Sequence, residues 1–121
     1  MKEQCKFEQY FEEQIEACEW RGKLLIADDR MDEGNFERIK ANVYEIFRTI
    51  LSAADRVCGE DVLAKKRFFL EKAEQIPASW RTSYEMARQH EDDEKMHLES
   101  IKLDTVREIK DMCMRLWGES T

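Results

Sequence analysis

Proline occurs once and glycine four times in 121 residues, so the chain has few natural breaks. Neither a low-complexity segment nor a shift in composition marks a second unit, and residues 1–121 read as a single domain. No stretch alternates apolar and polar residues over a useful strand length, and strand pairing is not expected. Histidine occurs twice, at His90 and His97, close together on one segment. That leaves little material for a nucleophile, base and orienting group drawn from separate parts of the chain. Gly-x-Ser-x-Gly and a glycine-rich phosphate loop are both missing, so hydrolase and nucleotide chemistry are not expected and the chain does not read as an enzyme.

Other scarcities concern setting. The cysteines Cys5, Cys18, Cys58 and Cys113 stand singly, without the paired spacing of a zinc ribbon or a redox site, and read as reduced, mostly buried thiols. The longest apolar run, Leu24 to Ala27, is far too short to span a membrane. Met1 to Phe7 carries too much charge for a secretory signal, and a soluble, cytoplasmic protein is expected. A net charge of −7 without a concentrated basic face argues against nucleic acid as a partner. Lys65-Lys66-Arg67 reads as a solvated helix face. Acidic residues are interspersed with Lys and Arg along the chain, which argues against mimicry of nucleic acid as well. Asp28-x-Arg30-x-Asp32 lacks the remaining ligands of a calcium loop.

What is present is helical periodicity. Charged residues make up 39% of the chain and hydrophobic residues 42%, the latter recurring in steps of three and four. Phe7, Phe11, Ile15, Cys18 and Leu25 share one side of a first helix over roughly Lys2 to Ala27, with Gly22 marking a bend or a close crossing. A connection is expected from Asp28 to Gly34, after which Asn35 can cap a second helix. Phe36, Ile39, Val43, Ile46, Ile50, Ala54 and Val57 form its stripe, widened by Tyr44, Phe47 and Leu51. This is the expected central helix, and a carboxylate at Ile46 is expected to unfold the domain. Gly59 is its expected stop, and a single rod running through Gly59 is the competing reading. Val62, Phe69, Ala73 and Ile76 sketch a third helix ended by Pro77.

From Pro77 to Trp117 the chain reads as nearly continuous helix, interrupted by the polar window His90 to His97. Carried through in phase, such a helix would place Glu91 and Glu94 on or beside its buried stripe, so a break near Glu91-Asp93 with an Asp cap is expected. The fold class is all-α: an antiparallel bundle of three to four helices, completed by dimerisation where the broad face of the central helix is left uncovered. No catalytic, cofactor-binding or metal-ligating residue is assigned, and no cofactor is expected. The best-supported function is a structural or protein-protein interaction module that forms a homodimer or docks a helical partner.

One motif supports an alternative. Glu94-Lys95-Met96-His97 places a carboxylate and an imidazole three residues apart on one helix face, the spacing by which helical bundles hold di-iron and di-manganese sites. Ala87 to Ser100 is similar to the metal-ligand helix of ferritin-like and rubrerythrin-like proteins. The resemblance implies a metal-carboxylate site. The motif occurs once here, so a half-ferritin-like site shared across a dimer is implied, with Glu60 as a candidate third ligand facing Glu94 if the chain hairpins at Pro77.

Overall fold

The computed structural model describes residues 2–118 as five helices joined by short turns, with no strand among them. These are α1 (Lys2–Ala27), α2 (Met31–Cys58), α3 (Val62–Gln75), α4 (Ala78–Gln89) and α5 (Asp93–Gly118). None is long and apolar enough to cross a membrane. The fifth helix arises because the stretch after Pro77 is divided at the polar window.

In α1, Phe7, Phe11, Ile15 and Cys18 are buried while Glu8, Glu12, Glu16 and Glu19 stay exposed. The helix therefore has a single inner face, set by its spacing of apolar residues. It ends at Asp29, whose φ is +60°. Arg30 N–H donates to Leu25 O at 2.8 Å and Asp29 N–H to Ile26 O at 3.0 Å, which together close the last turn in a Schellman arrangement. This tight closure lets α2 start at Met31, five residues earlier than an Asn35 cap allows. Asn35 lies inside α2, and the residue at the cap position is Arg30, without a capping side chain. Gly22 meets Gly34 at the crossing: a Cβ added to Gly34 would lie 3.2 Å from the Gly22 carbonyl oxygen. Further along, Arg48 reaches Glu12 at 3.1 Å across the same pair of helices.

The buried side of α2 runs along Val43, Tyr44, Phe47, Ile50, Leu51 and Ala54. Ile46 and Val57, expected in the central stripe, point outward instead, 38% and 70% exposed. The heptad pattern is real, but the core is built on its Tyr44-Phe47-Leu51 flank, where the aromatic rings are. Gly59 ends α2 at φ +60° and ψ −126°, backbone that a residue with a Cβ rarely adopts. Asp61 then caps α3 by accepting the Ala64 N–H at 3.1 Å. The break at Gly59 thus replaces the single rod. In α3, Phe69 and Ala73 are buried and Val62 is exposed. Lys65 turns inward and pairs with Asp55 at 2.8 Å, so the basic run is only partly a solvated face.

Aromatic rings hold one end of the molecule. Phe7 stacks on Phe11 at 4.9 Å between centroids, and Trp117 meets Phe7 edge-on at 5.2 Å and Phe69 at 5.6 Å. Phe47 joins Phe69 at 5.8 Å. Burial of such rings is among the largest single contributions to a small core, with geometry adding about 0.5–1.5 kcal/mol per pair. Cys18 and Cys113 are buried within the core, as the sequence predicts, and Cys58 is half-buried. The Cys5 side chain lies outside the described residues. α4 lies against α5, with Ala87 buried and Lys102 Nζ 5.5 Å from the centroid of the Trp80 ring.

Candidate functional site

The polar window forms the turn between α4 and α5. Glu91 takes φ +56°, and Asp92 N–H donates back to Ala87 O at 2.8 Å, a second Schellman closure with a non-glycine residue in the left-handed position. Asp92 Oδ1 accepts the Lys95 N–H at 3.1 Å and caps α5, while Asp93 and Glu94 occupy its acidic first turn. The expected break with an Asp cap is therefore present, and it removes the phase conflict: residues 90–95 are all exposed.

Glu94 and His97 are both exposed residues of the first turns of α5. The His97 ring packs edge-on against Phe36 of α2, with centroids 4.6 Å apart. Glu60 is not brought to Glu94. Glu74 pairs with Lys110 and Phe69 contacts Trp117, so the chain ahead of α3 lies toward the Trp117 end of α5 and Glu94 lies at the other. Among the described residues no group of three His, Cys, Asp or Glu side chains is placed to hold a metal ion.

Other buried polar groups are largely paired, the Oε2 atoms of Glu37 and Glu99 excepted. Tyr44 O–H donates to Glu108 Oε2 at 2.9 Å, tying α2 to α5. Burial, with Tyr10 and Glu108 beside it, pushes the Tyr44 phenol far up, and burial with the Glu108 charge raises Tyr10 to about 12. Burial pushes the Cys113 thiol up to about 12 and, together with Glu37, raises Cys18, so neither is poised as a thiolate nucleophile. Glu37 receives Arg21 at 3.3 Å and Lys40 at 3.8 Å on one oxygen. Glu99 receives Lys102 at 3.3 Å on Oε1 and lines a cavity of about 410 Å³ between α2 and α5.

The most continuous feature without a partner is the outer edge of α2. Ile39, Ile46 and Ala53 are spaced by seven and Val57 follows four later, which puts all four on one side of the helix. Ile39 and Ala53 are half-buried, and Ile46 and Val57 are exposed. Val43 and Ile50, the alternate members of the same heptad, are buried. One half of a coiled-coil-like seam is used inside the molecule and the other faces out. Sequence reasoning identified the seam but not which half is free, because both halves are equally apolar. Comparison with protein-family models, curated proteins and solved structures yields no match to this chain, so its functional reading rests on this geometry.

Proposed function

We propose that this chain is a protein-protein interaction module, an antiparallel helical bundle that forms a homodimer through the outer seam of α2 and is not an enzyme. The carrying observation is the exposure of Ile46 and Val57 on a heptad whose alternate members Val43 and Ile50 are buried. A helix surface with apolar residues at alternating steps of three and four accepts the same pattern from another helix, and a two-fold axis lets each copy supply what the other lacks. The residues beside the seam suit such contact: Asn42 and Thr49 are uncharged, and Glu45 and Arg56 have opposite signs, so a second copy meets no block of like charge. A cytoplasmic setting accords with three described cysteines that are not bridged.

The test is mass in solution. The intact protein is expected to sediment as a dimer. Ile46→Asp combined with Val57→Asp is expected to yield a monomer with undiminished helix content, because both side chains lie outside the core. Phe47→Ala serves as the contrasting core change and is expected to cost about 3–5 kcal/mol. A parent protein that is monomeric at high micromolar concentration overturns the proposal, as does a double variant that remains dimeric.

A further inference from the structure

The charges that alternate along the sequence do not alternate in space. Asp28, Asp29, Asp32 and Glu33 lie in and just after the α1–α2 turn, and the run Glu91–Glu94 forms the α4–α5 turn. The two turns occupy the same end of the bundle, since Phe36 and His97 touch one turn below them and Ile39 shares a cavity with Asp92 and Glu94. Residues 28–33 and 90–95 together hold eight carboxylates and two cations, Arg30 and Lys95, a net charge of −6 against −7 for the whole chain, and Lys102 borders Asp92 and Glu94 from α5. Arg30 is already taken by Glu33. One end therefore carries nearly all of the molecule's excess charge.

Apolar surface adjoins this end. Trp20 is 64% exposed, Leu24 one turn further along α1 is exposed too, and Met31 is exposed at the start of α2. Such large side chains left in water beside a charged rim mark an interaction surface rather than scattered surface residues. The cavity of about 410 Å³ borders the same end, with an apolar wall of Ile39 and Leu98, the carboxylates of Asp92, Glu94 and Glu99, and the ammonium groups of Lys95 and Lys102 around it. The Glu99 side chain is only 9% exposed, and its Oε2 has no hydrogen-bonding partner. Its charge is already met on Oε1 by Lys102 at 3.3 Å, and Oε2 itself is buried.

We infer that the acidic end of the bundle docks a basic amphipathic helix of a partner protein. Its apolar side would cover Trp20 and Leu24 on α1 and Met31 at the start of α2, and its Lys or Arg side chains would meet the two acidic turns. Anionic surfaces such as nucleic acid or acidic membranes are repelled by the same charge. Trp20, Leu24 and Met31 are not part of the α2 seam whose exposed members are Ile46 and Val57.

The experiment uses the intact protein and a labelled synthetic helix of Leu and Lys, followed by fluorescence anisotropy. The expected result is saturable binding that weakens steeply with added salt, is not reproduced by a Leu/Glu helix or by oligolysine, and falls at least tenfold in Asp32→Lys/Glu94→Lys. Glu45→Lys/Glu71→Lys, an equal charge change elsewhere, is expected to bind like the parent. Leu24→Ser is expected to weaken binding severalfold with a melting temperature close to the parent's. Equal loss in both charge-reversed pairs, or equal binding of oligolysine, overturns the proposal by showing a diffuse charge effect. Self-association that disappears in Asp32→Lys/Glu94→Lys overturns it too, by showing that a second copy occupies this end. Sedimentation of the Ile46→Asp/Val57→Asp variant reports on the dimer alone, so the two readings fail separately.

Discussion

Tyr44, Tyr10 and Cys113 are neutral acids held in the core, and their protonation couples folding to alkaline pH. Burial raises Tyr10 from 10.0 and Cys113 from 9.0, both to about 12. In the unfolded chain these groups lose their protons near their ordinary values, whereas the folded chain keeps them. The unfolded state then binds fewer protons, so stability is intact below about pH 9 and falls progressively toward pH 12. Each group contributes at most about 1.4 kcal/mol per pH unit. Urea midpoints are expected to be equal near pH 7 and pH 8 and to drop clearly near pH 11, with Cys113→Ala showing a shallower decline. An unchanged midpoint near pH 11 would mean that these groups are open to solvent. Ile46 carries the opposite lesson at this scale. Its apolar spacing makes it look central, so that a carboxylate there is expected to unfold the chain, yet its exposure makes the same change mild. Periodicity shows that a residue belongs to an apolar face, while the packing of neighbouring helices decides which edge of a wide face is covered.

At the scale of elements, boundaries set by local chemistry were legible and those set by crossing helices were not. Gly59, Pro77 and the Asp92 cap mark real ends, because each acts through its own backbone or the adjacent turn. The α1–α2 turn was misread because Gly34 resembles a loop residue, whereas it lies inside α2 to let Gly22 approach. The separation of Glu60 from Glu94 follows from the packing of α3 on α5, which no local signal encodes. Two substitutions test these assignments by thermal melting. Glu91→Gly is expected to stabilise the protein by about 1 kcal/mol, since Glu91 holds a left-handed conformation that glycine adopts without penalty. Gly34→Ala is expected to destabilise it by about 1–3 kcal/mol despite the better helix propensity of alanine. The new Cβ would lie 2.7 Å from Ile26 Cγ1 as well as close to the Gly22 carbonyl. The Ile26 side chain can turn away, but a backbone oxygen at a helix crossing cannot.

For the molecule as a whole, the placement of charge is the feature that folding alone does not explain. Asp32, Glu33, Asp93 and Glu94 sit in the first turns of α2 and α5, where the helix dipoles favour them, and Asp92 is a cap. Asp28 has no such reason. It follows the last turn of α1, which contains no basic residue, so it adds negative charge at the end where the helix dipole is already negative. A position of this kind is expected to weaken the free protein and to gain from a cationic partner, the pattern found where binding and stability compete. Asp28→Lys separates the two. It is expected to raise the melting temperature by a few degrees at low salt, through about 0.3–1 kcal/mol of relief at the helix end, with the gain shrinking as salt screens the exposed charge. The same variant is expected to bind the Leu/Lys helix more weakly than the parent. Raised stability with unchanged binding would leave the charge at Asp28 without a docking role. Lowered stability would mean that its carboxylate makes a contact that holds the turn, and the opposition between folding and binding at this end would not exist.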